Sequence, residues 1–174
     1  VEILVALLFG ADELLFFKTE QKIEQRRVCP AACGRQLRGD LAPGIPDCLA
    51  LWVAPADATV DDARWLAEAF PDRAWMAFER HLAPDDAERL AALRALAEST
   101  GLPLVATGDV HMHARGRRAL QDVLTALRLK TSVDAAGHAL FPNGERCLRP
   151  RVRLARLYPS ELLAETLRIA DLCH

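Results

Sequence analysis

The fold class is decided by residues 48–107, CLALWVAPADATVDDARWLAEAFPDRAWMAFERHLAPDDAERLAALRALAESTGLPLVAT. Three short apolar runs, at 48–54, 74–78 and 102–107, are continuously hydrophobic, as expected of strands that are buried on both faces. The segments between them carry apolar residues at helical spacing, and the links are short. Strand, helix, strand, helix, strand predicts right-handed parallel βαβ units. We therefore expect an α/β protein whose parallel strands alternate with helices, as a doubly wound sheet or a barrel.

Both predicted helices carry signals at their ends. Thr59 offers an N-cap oxygen, and Asp62 places an acid in the first turn of a helix that reaches about Phe70. Pro84 suits the first position of the second helix. Gly101 suits the left-handed residue that ends it. These signals place one helix in each interval between the predicted strands.

The pattern is less regular outside this stretch. Asp12 is placed to cap a helix over the apolar residues that follow it. Residues 29–47 contain three Pro and three Gly, which predicts a linker. Residues 117–129 predict a helix and residues 131–157 an irregular segment. A last helix is predicted to start at Pro159.

Length, composition and charge exclude several protein classes. The chain has 174 residues, 51% hydrophobic and 26% charged, with a formal net charge of −2, which is typical of one globular domain. No apolar run is long enough to span a membrane. The segment CPAAC (29–33) has no second close cysteine pair, and the sequence lacks a secretory signal. We expect reduced, structural thiols in a cytoplasmic protein.

The sharpest chemical feature is TGDVHMH, residues 107–113, directly after the third predicted strand. Sites in parallel α/β folds form at the carboxyl ends of strands. On an extended backbone, Asp109 and His111 point to the same side. A carboxylate beside an imidazole suits Zn, Mn or Fe. A metal held here would activate water or polarise a phosphate.

A second acid-x-His pair, Glu79 and His81, ends the second predicted strand, which would neighbour the third in a parallel sheet. A capped turn with a satisfied histidine is the alternative interpretation of either pair. The candidate metal ligands are Asp109 and His111 and, more weakly, Glu79, His81 and His113.

Basic residues are concentrated after this motif. Residues 113–130 and 142–158 each hold five bases and one acid, whereas residues 57–99 hold ten acids and five bases. Guanidinium groups favour phosphate, especially near the start of a helix. A solvated surface in a chain with 19 Arg and 3 Lys is the alternative. The candidate phosphate- or nucleic-acid-binding residues are Arg115, Arg117, Arg118, Arg146, Arg149, Arg151, Arg153 and Arg156.

The sequence resembles a known family in residues 101–173, GLPLVATGDVHMHARGRRALQDVLTALRLKTSVDAAGHALFPNGERCLRPRVRLARLYPSELLAETLRIADLC. The family is the polymerase and histidinol phosphatase (PHP) domain of bacterial error-prone DNA polymerases, C-family relatives of the DNA polymerase III alpha subunit. The combination of GDVHMH with an arginine-rich helix is specific to this branch. The resemblance extends upstream to about residue 41. Residues 41–174 are therefore expected to be the C-terminal part of a PHP domain, and residues 1–40 a poorly matched N-terminal segment.

The resemblance implies a distorted (β/α)7 barrel, partly present here, with a metal centre. Asp109 and His111 correspond to the family's late Asp-x-His ligand pair. The family's early His-x-His motif has no counterpart, because the first histidine of this chain is His81. We therefore expect an incomplete site for Zn or Mn that binds metal weakly or not at all.

The parent protein that the resemblance implies is a DNA-directed DNA polymerase acting in damage-induced mutagenesis and translesion synthesis. It implies Mg as the polymerase cofactor, and DNA, deoxynucleoside triphosphates and other mutagenesis or replication proteins as partners. The polymerase palm is expected beyond His174, so this segment alone is expected to be inactive. Two alternatives are a stand-alone metal-dependent PHP phosphoesterase and a non-catalytic DNA-binding or scaffolding remnant.

Overall fold

The computed structural model describes residues 2–9, 13–18 and 48–173, with side chains from Leu49 onward. The described strands are β1 (Glu2–Phe9), β2 (Glu13–Lys18), β3 (Cys48–Val53), β4 (Ala74–Glu79) and β5 (Leu104–Thr107). The described α-helices are α1 (Val60–Ala69), α2 (Asp86–Thr100), α3 (Arg118–Arg128), α4 (Val133–Ala136), α5 (Arg151–Leu157) and α6 (Ser160–Asp171). Short 3-10 turns occupy Arg115–Arg117 and Gly137–Ala139.

The strands form one sheet in the order β2-β1-β3-β4-β5. β3 and β4 are parallel, with Ala50 opposite Ala74 and Trp52 opposite Met76. β5 extends this parallel part to three strands, so the prediction of parallel strands alternating with helices is confirmed for β3–β5. β1 pairs antiparallel with both β2 and β3. The architecture that the structure establishes is mixed α/β.

The prediction of a helix after Asp12 is wrong, because Glu13–Lys18 is strand β2. Asp12 itself and the predicted linker at residues 29–47 lie outside the described residues. The segment ELLFFK contains two aromatic residues, which favour strands. Its backbone pairs along its whole length with β1, from Phe9 opposite Glu13 to Leu4 opposite Lys18. Pairing with a neighbouring strand overrides the local helical pattern there.

Helix α1 begins where the sequence predicts. The Thr59 hydroxyl accepts a hydrogen bond from the Asp62 N–H at 3.2 Å, and the Asp62 carboxylate accepts from the Thr59 N–H at 3.0 Å. This reciprocal pair is a capping box. The helix ends at Ala69, one residue before the expected Phe70.

Helix α2 ends where expected but begins later. Gly101 has φ +75°, the left-handed conformation, and its N–H donates to the Ala97 carbonyl at 2.8 Å. The first helical residue is Asp86, so Pro84 lies in the preceding turn and not at the first helical position. The Asp86 carboxylate accepts from the Ala83 N–H at 3.2 Å, which closes that turn.

The prediction that residues 131–157 are irregular is wrong in part. They contain the four-residue helix α4, capped by Ser132, and the seven-residue helix α5, which follows Pro150. Helices this short carry too little periodic pattern to be read from sequence, and their stability comes from packing. Helix α3 begins at Arg118, one residue inside the predicted start, and α6 begins directly after Pro159.

The chain divides into two compact units. Unit 1 comprises Val1–Phe78, Ala87–Ala106 and Glu161–His174, and unit 2 comprises Glu79–Asp86 and Thr107–Ser160. None of the described helices is long and apolar enough to cross a membrane.

The core of unit 1 joins the sheet to α6. Trp75 packs in a buried cluster whose other members are Leu49, Leu51 and Val105, with Ile169 and Cys173 against it. The Trp75 indole N–H donates to Glu165 Oε2 at 2.8 Å. Burial raises the pKa of the Cys173 thiol, which disfavours the reactive thiolate.

The other tryptophans and cysteines fit the structural roles expected of them. Trp52 and Trp75 are each 1% exposed and belong to the core. Cys147 and Cys173 are free thiols, whereas the CPAAC segment lies outside the described residues.

Candidate metal centre and arginine cluster

Glu79, His81 and Asp109 come together within unit 2. One potential ligand atom from each residue lies within 4.8 Å of the other two. Glu79 is the last residue of β4, and Asp109 follows the last residue of β5, Thr107, by two positions. Their side chains are largely buried, with 13% exposure for both carboxylates and 15% for the imidazole. The two acid-x-His segments therefore meet, as the parallel order of their strands suggested.

The donor set fits a divalent transition metal. His81 Nε2 lies 3.3 Å from Glu79 Oε2, and two ligands of a tetrahedral zinc ion, each about 2.0–2.1 Å from it, are about 3.3 Å apart. His81 Nδ1 is buried and has no hydrogen-bond partner among the described residues. Buried polar nitrogens are normally satisfied. Two carboxylates and an imidazole with an unused nitrogen suit Zn or Mn better than Mg.

His111 lies beside this cluster but is not part of it. Its Nε2 is 3.0 Å from Asp109 Oδ1, and its ring contacts Phe141 with centroids 4.9 Å apart. The expectation of an extended backbone here is wrong, because Asp109 has φ +38°. The two side chains meet through a left-handed turn that Asp tolerates better than most residues. His113 is exposed and is not in the cluster.

Arg146 brings a positive charge to the same carboxylate. Its guanidinium forms an ion pair with Asp109 Oδ2 and lies over the Phe141 ring, 4.5 Å from the centroid. Arg146 was predicted to bind nucleic acid, but its side chain is only 23% exposed and is directed to Asp109. A guanidinium in this position competes with any divalent cation for Asp109.

The Tyr158 hydroxyl links the two segments that carry the cluster. It accepts a hydrogen bond from the Arg80 N–H at 3.1 Å and donates to the Thr107 carbonyl at 2.7 Å. Arg80 lies between Glu79 and His81 in sequence. Tyr158 is 4% exposed. Sequence reasoning missed this residue, because its partners are 78 and 51 positions away and no local pattern reports them.

Asn143 holds the segment Glu79–His81 from another side. Its side-chain NH₂ donates to the His81 carbonyl at 2.8 Å, and its side-chain oxygen accepts from the Glu145 N–H at 2.9 Å. His81 is thus fixed through its own backbone as well as through Glu79. No sequence signal pointed to Asn143 either.

Three of the predicted phosphate-binding arginines surround one buried carboxylate. The Glu145 side chain is 2% exposed, with Arg153 Nη2 2.8 Å and Arg149 Nη2 3.4 Å from Oε2, and Arg115 Nη2 3.4 Å from Oε1. Arg149 is also 2% exposed and donates to the Arg80 carbonyl at 3.0 Å. The Arg149 side chain is therefore buried in an ion pair with Glu145, and its role in binding nucleic acid stays a prediction.

The remaining predicted arginines differ in accessibility. Arg118 donates to the carbonyls of Phe141 and Pro142, at 2.8 and 3.3 Å, and lies 3.6 Å from Asp122. It ties the start of α3 to the loop before Glu145. Among the predicted phosphate-binding arginines, those at exposed positions are Arg115, Arg117, Arg151 and Arg156.

Comparison with known proteins finds relatives that share one name, error-prone DNA polymerase. The chain is 64% identical over 129 residues to an error-prone DNA polymerase of Dechloromonas aromatica (strain RCB), covering 74% of this chain and 13% of that protein. The chain matches a fragment of an error-prone DNA polymerase. Error-prone DNA polymerases of Azoarcus sp. (strain BH72) and Pseudomonas syringae pv. syringae (strain B728a) are 53% and 54% identical, each match covering 80% of this chain and 14% of the relative.

The chain thus spans about one seventh of the length of the error-prone DNA polymerases that it matches. No protein-family model matches it. The alternative of a stand-alone phosphoesterase is not favoured, since these relatives are all named error-prone DNA polymerase.

Proposed function

We propose that this chain is the PHP-type segment of an error-prone DNA polymerase, and that residues 41–174 form the C-terminal part of that domain. Its three parallel strands would belong to a distorted (β/α)7 barrel. The resemblance in GDVHMH and the relatives' names support the proposal. In a protein of the relatives' length, the activity would be Mg-dependent DNA synthesis on DNA with deoxynucleoside triphosphates. For these 174 residues alone we expect no polymerisation.

Within this segment we propose a weak divalent-metal centre. The observation that carries it is the convergence of Glu79, His81 and Asp109 within 4.8 Å. Glu79 and Asp109 would supply carboxylate oxygens and His81 an imidazole nitrogen, whereas His111 would orient Asp109 from outside. A bound Zn or Mn would act as a Lewis acid toward a phosphate oxygen.

The weakness of the site follows from its composition. Three residues supply ligands, the family's early His-x-His motif is absent, and Arg146 pairs with one of the three ligands. A closed zinc site takes four protein ligands. Asp109 can bind a cation fully only when it shares or loses its contact with Arg146.

Calorimetric titration of the purified, metal-stripped chain with Zn²⁺ and with Mn²⁺ tests the centre. We expect weak binding of one equivalent, lost in Glu79→Gln and in Asp109→Asn. The matched controls are His113→Ala and His138→Ala, exposed histidines outside the cluster that should leave binding unchanged. Tight stoichiometric binding that depends on Asp109 and His111 but is unchanged in Glu79→Gln would contradict the proposed ligand set.

Sequencing the DNA that flanks the coding region tests the larger proposal. A palm-and-fingers coding region downstream supports a polymerase segment. A stop codon soon after His174 would instead favour a stand-alone or remnant protein.

A further inference from the structure

Arg115 and Arg153 reach one carboxylate from two different segments. Arg115 lies in the 3-10 turn before α3, and Arg153 lies in α5. Arg115 Nη2 is 3.4 Å from Glu145 Oε1, and Arg153 Nη2 is 2.8 Å from Oε2. The Glu145 side chain is 2% exposed, and contacts with Arg149 and Arg153 hold its carboxylate in place. The two guanidinium groups therefore lie at the two oxygens of one carboxylate, Arg153 through a hydrogen bond and Arg115 through an ion pair.

Both guanidinium groups keep N–H donors that Glu145 does not use. An arginine has five N–H donors in a planar fork, and each of these two uses one terminal nitrogen on Glu145. The side chains of Arg115 and Arg153 are 65% and 39% exposed. The hydrogen bond to Glu145 orders Arg153 before any ligand arrives, and the ion pair draws Arg115 toward the same carboxylate, which reduces the entropic cost of binding.

The local charge favours an anion. Arg115, Arg149 and Arg153 place three positive charges around the single negative charge of Glu145. Since Arg149 is buried, an incoming anion would meet the exposed N–H groups of the other two. Such a geometry suits the tetrahedral oxygens of phosphate, which arginine binds bidentately.

Gly144 leaves the space in which Arg115 lies. A Cβ at this position would stand 3.0 Å from Arg115 Cγ and 3.3 Å from the Arg115 carbonyl oxygen. A side chain at residue 144 would therefore require Arg115 to shift by a few tenths of an ångström. Glycine at this position thus leaves room for the Arg115 side chain that pairs with Glu145.

We propose that Arg115 and Arg153, held by Glu145, form a clamp for one phosphate group. The group is either free inorganic phosphate or a phosphodiester of single-stranded DNA. The proposal rests on the proposed function only for its class of ligand, and it requires no metal ion. It assigns Arg149 and Glu145 to holding the clamp rather than to contacting the ligand.

The experiment compares two double variants with the same change in charge. Arg115→Ala/Arg153→Ala removes the clamp, and Arg151→Ala/Arg156→Ala removes two other arginines of α5. Inorganic phosphate is titrated by calorimetry, and a short labelled single-stranded oligonucleotide by fluorescence anisotropy, both in buffer with a metal chelator. We expect the Kd of the bound probe to rise about tenfold in the clamp variant and less than about twofold in the control. Whichever probe binds identifies the source of the phosphate.

A second variant distinguishes loss of the clamp from loss of folding. Gly144→Ala keeps every charge, and circular dichroism shows whether it and the exposed-site single variant Arg115→Ala remain folded. Both are expected to weaken phosphate binding about threefold or more. Equal weakening by both double variants, or no saturable binding of either probe, overturns the clamp. Binding that appears only with added Zn²⁺ and is lost in Glu79→Gln also overturns it, while leaving the proposed metal centre intact.

Discussion

The Asp109 carboxylate contacts the guanidinium group of Arg146, and it also belongs to the cluster proposed to bind a divalent metal ion. Oδ2 pairs with Arg146, and Oδ1 lies 3.0 Å from His111 Nε2. Glu79 and His81 approach the same carboxylate. The affinity of the proposed metal centre for a divalent ion would therefore be set by competition with a guanidinium group, and not by the ligands alone.

Replacing Arg146 tests this competition. We expect Arg146→Gln to strengthen Zn²⁺ or Mn²⁺ binding about fivefold, because a like charge and a competing partner of Asp109 are removed. Calorimetry measures the change, and Arg156→Gln, with the same loss of charge on an exposed position, is the control. Unchanged or weaker metal binding in Arg146→Gln would show that Arg146 does not limit the site.

Tyr158 contacts the segments that carry the cluster through their backbone. In Tyr158→Phe the hydrogen bonds to Arg80 and Thr107 are lost while the ring remains. We expect metal binding to weaken about tenfold, as for other residues that position ligands, and the free energy of unfolding to fall by about 1 kcal/mol. The control is a variant that loses similar stability at a site remote in sequence, Thr59→Ala. If both variants bind metal alike, Tyr158 has only a structural role.

At the scale of elements, the clearest local device is the capping box of α1. Thr59→Ala removes the hydroxyl that satisfies the Asp62 N–H. We expect a loss of about 1 kcal/mol in the free energy of unfolding, measured with urea. Thr59→Ser should restore most of it, because serine caps equally well. A Thr59→Ala protein as stable as the original would mean that α1 is held by packing alone.

Helix α3 carries an exposed apolar face. Leu120, Val123, Leu124 and Leu127, at helical spacing, are between 44% and 67% exposed, whereas Thr125 and Ala126 are buried. An apolar stripe of this kind on the surface promotes association. Its leucines contribute little to the stability of the chain that displays them.

The contrast between exposed and buried apolar positions predicts how substitutions change the free energy of unfolding. Leu124→Gln/Leu127→Gln should change the free energy of unfolding by less than about 0.5 kcal/mol and lower concentration-dependent light scattering. Leu93→Ala, at the buried position of α2, should cost about 2–5 kcal/mol. A large loss of stability in the α3 variant would mean that this face is packed in solution.

At the scale of the whole molecule, unit 2 is organised around one buried charge. Glu145 is contacted by arginines from the turn before α3, the segment before α5 and α5 itself. Arg149 continues the network to the Arg80 carbonyl, next to the metal-binding candidates. One carboxylate thus connects segments that are far apart in sequence.

Neutralising this carboxylate should destabilise the protein. Glu145→Gln leaves the buried Arg149 without its counter-charge, so we expect a loss of about 3–5 kcal/mol in the free energy of unfolding. Urea unfolding followed by circular dichroism measures it, with the exposed Glu98→Gln as the control. A loss below about 1 kcal/mol would show that water or a rearranged partner satisfies Arg149.

The order of the elements from β3 to β5 was predictable, because each has a local signal. Apolar runs, the cap at Thr59 and the glycine at Gly101 act within a few residues of where they stand. The elements that were predicted wrongly lack a local signal of this kind. Strand β2 depends on pairing with β1, and α4 and α5 are too short to carry a periodic pattern.

By itself, the sequence determined the parallel order of β3–β5, the start of α1, the end of α2 and the two acid-x-His pairs at strand ends. Only the tertiary structure decided that Glu79, His81 and Asp109 meet while His111 stays outside, that Arg149 is buried, and that Tyr158 joins the two segments. The physical reason is the separation along the chain over which each interaction acts. Strand and cap signals act between neighbours in the chain, whereas the cluster joins residues 30 positions apart and the hydrogen bonds that hold its segments span more than fifty.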